Sequence, residues 1–411
     1  MTDWSKVALR RVSRVVNGGT PTPDESNWGG DFPWATPVDI GAARGRISAT
    51  QRTLTAAGVA SGSRIIPANS ILVSTRAPIG YVAITSAPMA FNQGCRGLVP
   101  TDQVDARFLY HHLTSSADEL SRRGQGTTFL ELSAEGLAGV EVHLPPLEEQ
   151  QRIADFLDAE TARIDRLIDL KIGQVGLLEA RKRSAVSELS EHLISRFGAI
   201  ELRYVMSGIE QGWSPQCEER LAGPNEWGVI KAGCVNGGRF NEEQHKTLPA
   251  DVMPRIQYRL RSGDLLMSRA SGSVELIGSV AVVPDHVGKM LLCDKVYRLR
   301  VDARRGSAEF LAFMLRSHAN RERIKLGISG AEGMANNLPT AVVKGCVVPA
   351  APLDVQERSV VELQHDLSAI EELQRLITGQ VSVLAERKQA LITAAVTGQL
   401  DVTTARRADL S

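Results

Sequence analysis

Few residues in this chain have the types and spacing that bond-making or bond-breaking chemistry needs. Two acid-x-Lys pairs, Asp169 with Lys171 and Glu386 with Lys388, carry nuclease-like side chains, but both fall in stretches predicted as long helix, with no Pro-Asp strand ahead of them. A phosphate-wrapping loop requires G-x-x-x-x-G-K-[ST], whereas Gly288-Lys289 is followed by Met290 and Val283 stands at the first glycine position. An amino-methyltransferase needs an N-P-P-Y type loop to hold a flipped base, and the one Pro-Pro here is Pro145-Pro146, within His143-Leu144-Pro145-Pro146-Leu147. The eight histidines show no H-E-x-x-H spacing, and His111-His112 reads as an ordinary helix pair. Cys95, Cys217, Cys234, Cys293 and Cys346 are scattered without C-x-x-C spacing and read as buried thiols. The expectation is a chain that is not an enzyme, with no cofactor and no metal of its own.

What the sequence does contain is a repeat. At a shift of 206 residues, Pro146-Leu147 falls on Pro352-Leu353, Gln150 on Gln356, Ile164 on Ile370, Gly173-Gln174-Val175 on Gly379-Gln380-Val381, and Arg181-Lys182 on Arg387-Lys388. Proline precedes each copy and none interrupts it, so both read as long helices. Leu157, Ile164, Ile168, Val175 and Leu178, and in the second copy Leu363, Leu367, Ile370, Ile377, Val381, Leu384 and Leu391, recur at coiled-coil spacing. The shared positions of Gly173 and Gly379 suggest close backbone approach.

The segments between repeat in turn. At a shift of 193, Trp34 falls on Trp227, Gly45-Arg46 on Gly238-Arg239 and Arg76 on Arg269; after a short insertion Ile79-Gly80 meets Ile277-Gly278. In the first segment, residues 34–40 read as a strand, 70–74 and 81–85 as strands flanking a turn at Pro78, and 105–116 as a helix. The fold class is therefore α+β: two similar mixed α/β domains (1–145 and 196–351), each followed by a long helix (146–195, and 352–411 with its tail). The helices are expected to pack as an antiparallel coiled coil, giving a pseudo-twofold internal repeat. Duplex DNA has a matching twofold symmetry. Net charge is zero over 411 residues, but the first domain carries 13 basic and 12 acidic groups and the second 21 and 16, while the helices carry 7 and 10, then 6 and 9. Positive charge thus sits in the globular parts, which permits nucleic-acid binding. Neither a signal core nor an apolar run of membrane-spanning length is present, so the reading is cytoplasmic, with no membrane partner.

Over essentially its whole length the chain resembles the specificity subunits of type I restriction-modification systems. Pro146-Leu147-Glu148-Glu149-Gln150-Gln151-Arg152-Ile153 is similar to the family's P-L-x-E-Q-x-x-I opening of a helical region. Leu384 to Ile392 and Thr397-Gly398-Gln399-Leu400 resemble the end of the second such region. Ile71 to Arg76 and Asp264 to Arg269 resemble the D-I-L-x-S-x-R segment of target recognition domains. The second opening departs from the pattern with Val355 and Ser359 where an acid and Ile are expected, so contacts implied for Glu149 and Ile153 do not carry over to it.

The resemblance implies a non-catalytic subunit that reads a bipartite sequence in double-stranded DNA, one part per target recognition domain. It also implies two modification (methyltransferase) subunits held on the helices, with restriction (helicase-nuclease) subunits joining them. For base or phosphate contact, arginine offers a fork matched to guanine O6 and N7 or to phosphate. Arg46, Gln51, Arg52, Arg76, Asn92, Gln93, Arg96, Gln125 and Thr127 are the candidates in the first domain. Arg239, Asn241, Lys246, Arg269, Ser271, Ser273, Lys295, Asn336 and Asn337 are those in the second. The alternative is a coiled-coil scaffold whose globular domains bind protein partners.

Overall fold

Pro146 and Pro352 each open a helix with a carbonyl that accepts the first helical hydrogen bond, from the Gln150 and Gln356 amides at 3.0 Å in both. In this computed structural model, which describes residues 4–124, 130–329 and 336–402, the helices run over Leu147–Phe197 and Leu353–Val396. The chain divides into two units, residues 1–172 with 379–411, and residues 173–378, so each long helix gives a part of itself to each unit.

One row of side chains buried or half-buried along the first helix comprises Leu157, Thr161, Ile164, Ile168, Lys171, Val175, Leu178, Lys182, Ala185 and Leu189. The matching row on the second comprises Val360, Leu363, Leu367, Ile370, Gln374, Ile377, Val381, Leu384, Lys388, Leu391 and Ala395. Steps of three and four alternate throughout both sets, which is the seam of a left-handed coiled coil. Every apolar residue expected on the seam lies on it; the polar members were not anticipated, and Lys182, Gln374 and Lys388 among them carry partners. In the first unit Lys388 Nζ lies 2.7 Å from both Asp165 oxygens, and Ile153 and Leu157 share a core with Ile392 and Val396. In the second, Lys182 Nζ meets Glu371 at 3.3 Å, Gln374 Nε2 donates to the Val175 carbonyl at 3.4 Å, and Val186 packs with Leu363 and Leu367. Numbers rise on one helix as they fall on the other, so the pairing inside each unit is antiparallel. Gly173 and Gly379 do not allow close approach: both are exposed, and a Cβ at either would meet nothing within 4 Å.

The globular part of the first unit is built on a five-stranded sheet in the order Ser13–Asn17, Cys95–Pro100, Ile71–Ser74, Val82–Thr85, Arg46–Ile47. Beside it runs a four-stranded sheet, Arg52–Leu54, Trp28–Ala35, Met89–Phe91, Ile65–Ile66. The second unit repeats the plan with four strands, Met206–Gln211, Val296–Val301, Leu265–Ser268 and Val280–Val282, and with three, His245–Thr247, Gly228–Ile230 and Met290–Leu291. The expected helix over 105–116 is present as Ala106–Ser115, capped by Asp105. The strand expected over 34–40 ends at Ala35. Thr36 then caps a helix, Pro37–Ala42, with Pro37 in its first turn and Asp39 closing a capping box, local signals strong enough to stop the strand.

Hydrogen bonds also correct the register of the repeat. Ser74 faces Cys95 across its sheet as Ser268 faces Val296, and the Thr75 amide donates to Gly94 as the Arg269 amide donates to Lys295, both at 2.8 Å. Thr75 therefore corresponds to Arg269, and Arg76 to Ala270. A slip of one residue turns a strand side chain to the other face, so the two arginines are not counterparts. By the same alignment Trp34, opposite Ala90, corresponds to Val229, opposite Leu291, rather than to Trp227. Trp34 is a core residue, with its Nε1 donating to the Gly19 carbonyl at 3.1 Å and its ring 5.0 Å from Trp28.

No helix among the described residues is long and apolar enough to cross a membrane. Four of the five cysteines are buried, and burial raises Cys95 to about 12 and Cys293 and Cys346 to about 11, so these thiols stay protonated.

One buried histidine makes stability pH-dependent. His112 Nε2 accepts the His143 amide at 3.1 Å, and burial, with His143 beside it, pushes its pKa down to about 4. The unfolded chain protonates such a ring near pH 6.5. Its contribution is therefore full above about pH 6.5, falls as pH falls, and is gone below about 4. Denaturant unfolding should show the first unit losing about 2 kcal/mol between pH 7 and pH 5. A His112→Gln variant should lose markedly less over the same interval.

Candidate nucleic-acid interface

In each globular part the segments leaving the central sheet meet at one edge, and the sequence puts polar side chains there. In the first unit the turn after Phe91 is tied by Asn92, whose side chain accepts the Gly94 amide at 3.0 Å. That leaves Gln93 projecting, where its Oε1 accepts the Thr20 hydroxyl. Arg96 donates to the Gln93 and Cys95 carbonyls at 2.9 and 3.1 Å and reaches Glu131 at 3.4 Å. Arg76 reaches the same carboxylate at 3.1 Å. Thr20, Gln93, Arg96, Glu131 and Arg76 thus form one connected row. Nearby on the second sheet, Arg52 lies flat over Trp28, its guanidinium carbon 3.3 Å from the ring centroid, a geometry that fixes the side chain without using all its donors. Gln51 sits beside it, its amide donating to Asp39 at 2.9 Å.

The second unit makes the same edge with other side chains. Ser214 donates to Asp294 as Thr20 does to Gln93, at the corresponding backbone positions. A cleft of about 470 Å3 opens here, lined among others by Ser214, Lys231, Lys246, Ser271 and Lys295. Lys246 pairs with Glu219, holding that carboxyl below its usual range, and Lys231 stands 3.7 Å from it. Asn336 lies opposite Ser271, and Asn337 opposite Ala270, in a short two-stranded ladder.

Of the candidates named from sequence, the structure brings Arg76, Gln93 and Arg96 together in the first unit, and Lys246, Ser271, Lys295, Asn336 and Asn337 in the second. Asn92 and Asn241 tie their own turns, the latter accepting the Glu243 amide at 3.0 Å. The Ser273 amide donates to the Ser271 hydroxyl at 3.2 Å. Arg269 donates to the Asp294 carbonyl at 3.2 Å and stacks 5.8 Å from the Tyr297 ring, so its guanidinium braces the edge from within. Gln125 and Thr127 lie outside the described residues.

Arg46 and Arg239 are placed elsewhere, in clefts between a globular part and the long helices of its own unit. The first, about 580 Å3, is lined by Arg44, Arg46, Asp165, Asp169 and Lys388, with Arg44 2.5 Å from Asp169. In the second, about 280 Å3, Arg239 pairs with Glu371. Sequence reasoning missed Thr20, Glu131, Ser214 and Lys231. Only the hydrogen-bonded register, which places Thr20 against Gln93 and Ser214 against Asp294, singles them out. Among the described residues no group of three His, Cys, Asp or Glu side chains could hold a metal ion.

Against known families, residues 1–173 match the type I restriction modification DNA specificity domain. The MjaIX type I restriction enzyme specificity subunit of Methanocaldococcus jannaschii is 38% identical over 182 residues, which is 43% of this chain and 41% of that one. The EcoEI type I restriction enzyme specificity subunit of Escherichia coli is 26% identical over 183 residues, 44% of this chain and 30% of that one. The chain thus spans less than half the length of these relatives. A solved chain, from work on complex assembly and conformational transition of the type I R-M system, shares the fold with a TM-score of 0.74 at 19% identity, over 97% of this chain and 98% of that one.

Proposed function

We propose that the chain is a type I restriction enzyme specificity subunit, a DNA-recognition subunit without catalytic activity of its own, since residues 1–173 match the specificity domain and the MjaIX specificity subunit is similar over 182 residues. It reads a bipartite target, one part per recognition domain, with residues 1–145 and 196–351 as those domains and 146–195 and 352–411 as the helical regions. The observation that carries this reading is the duplicated edge. Thr20 with Gln93 and Ser214 with Asp294 occupy one backbone arrangement, while the side chains around them differ. That is what two readers of two different half-sites require, since phosphate contacts set position and side chains at base edges set sequence. The helices hold two modification subunits, and restriction subunits join that core; the chemistry of methylation, ATP hydrolysis and cleavage belongs to them.

The test is selection. The tagged chain, purified from its own cells with whatever remains bound, is offered random duplex DNA. Recovery of a two-part motif with a fixed gap is the expected result, and the absence of any enrichment would favour the protein-binding scaffold instead. The pure chain alone should transfer no labelled methyl group to DNA and should hydrolyse no ATP; either activity would overturn the non-catalytic assignment.

A further inference from the structure

We propose that the crossing of residue 76 with residue 131, and its counterpart at residues 270 and 337, is where each recognition domain chooses a base. Arg76 and Glu131 take a guanine·cytosine pair, and Asn337 takes an adenine. The inference rests on the DNA-reading function proposed above and names the residues that carry it.

The frame is the same in both units. Arg76 bridges Glu131 across antiparallel backbone, and Ala270 pairs with Asn337 in the same way. The Leu132 amide donates to the Thr75 carbonyl at 2.8 Å, and the Leu338 amide to the Arg269 carbonyl at 2.9 Å. Upon this common backbone stand chemically different side chains: a guanidinium facing a carboxylate in one unit, a methyl group facing a carboxamide in the other. A fixed scaffold with exchanged polar groups changes which base is accepted without changing how the domain sits on the duplex.

The first unit's trio is built so that Arg76 can leave it. Arg96 is 12% exposed and held by two backbone carbonyls, whereas Arg76 is 49% exposed and has Glu131 as its ion partner. When Arg76 turns to a base, Glu131 keeps Arg96 beside it, so no bare carboxylate faces the phosphates. An exposed ion pair is weak and is exchanged at little cost. The released guanidinium forks onto guanine O6 and N7, and the carboxylate, an acceptor only, suits the cytosine N4 amino group.

In the second unit Ala270 is buried and has no polar side-chain atom, so recognition at this crossing falls to Asn337. A carboxamide has one donor group and one acceptor, the complement of adenine N7 and N6. Arg269 does not compete for the role, since its guanidinium is turned to Asp294 and Tyr297.

The selection described above tests this with two variants of the full chain. Arg76→Ala should lose a guanine preference of roughly 5- to 150-fold at one position of one half-site, with the other half-site unchanged. Asn337→Ala should lose an adenine preference at one position of the opposite half-site only. The unaltered half-site in each variant shows that the chain is folded and bound. If wild-type chain enriches a two-part motif but either variant keeps every base preference, or binds all sequences more weakly by one common factor, the inference is wrong while the DNA-reading function stands. If wild-type chain enriches nothing, the function itself fails and the inference with it.

Discussion

Replacing Lys231, Lys246 and Lys295 together with glutamine is expected to weaken DNA binding strongly and to flatten its dependence on salt. The three ammonium groups line one cleft, and among the described residues Lys295 has no acidic partner. Lys246 and Lys231 share Glu219, an exposed carboxylate that phosphate can replace cheaply. A duplex in this cleft would shed condensed counterions for each phosphate neutralised, so the slope of log K against log salt should fall by about 2.7 if all three meet phosphates. The loss should be uniform across sequences, because phosphates carry no base information. Affinity titrations at several salt concentrations measure both quantities. An unchanged slope with weaker binding would mean that the lysines support the fold of the edge and do not touch DNA.

The contrast with Arg76 and Asn337 separates two roles on one surface. Lysine is a compact, strongly hydrated charge and positions the duplex; the forked guanidinium and the carboxamide have the directionality to discriminate bases. Loss of the first should appear as a common factor for all sequences, and loss of the second as a change at one position of the motif.

The helices were legible because their pattern is long and repeated: every apolar residue expected on the seam lies on it. Lys182, Gln374 and Lys388 were not, because a pattern search for apolar residues passes over polar ones that fill the remaining seam positions and find partners such as Glu371, Val175 and Asp165. Gly173 and Gly379 misled for a related reason. A repeated glycine reads as a demand for space, yet open solvent makes no such demand. Within the globular parts, letter matching joined Arg76 to Arg269 and Trp34 to Trp227, while the ladders join Arg76 to Ala270 and Trp34 to Val229. Identical letters outweighed register because insertions between strands leave a sequence shift free to slide by one or two residues. The members of the edge that sequence missed, Lys231 and Glu131 among them, come from segments far apart in the chain, and only the folded sheets bring them beside the candidates that were named.

Gln150 and Gln356 explain why glutamine stands at the start of each long helix, and their removal should be among the most destabilising changes in the chain. Gln150 is buried, accepts the Asp105 amide at 2.8 Å, and donates to the Gln103 and Pro145 carbonyls at 3.1 and 2.9 Å. Gln356 repeats the set, accepting the Ser307 amide at 3.0 Å and donating to the Arg305 and Ala351 carbonyls at 3.2 and 2.8 Å. Each amide thereby ties the turn entering its helix to the N-terminus of an earlier short helix, Ala106–Ser115 in one unit and Ala308–Met314 in the other. Substitution by leucine keeps the bulk and removes all three bonds, leaving one backbone donor and two acceptors without partners. Each buried unsatisfied group costs about 1–3 kcal/mol, so Gln356→Leu should destabilise its unit by roughly 3–9 kcal/mol, out of the 5–15 kcal/mol typical of a folded domain. Thermal unfolding should register a fall of roughly 6–36 °C in the transition of that unit. Gln356→Glu keeps the acceptor and removes only the two donations, so its fall should be smaller than that of the leucine variant if hydrogen bonding, rather than a buried charge, sets the cost. A melting temperature for Gln356→Leu within about 2 °C of wild type would show that these bonds are dispensable and that the glutamines stand at the helix starts for another reason.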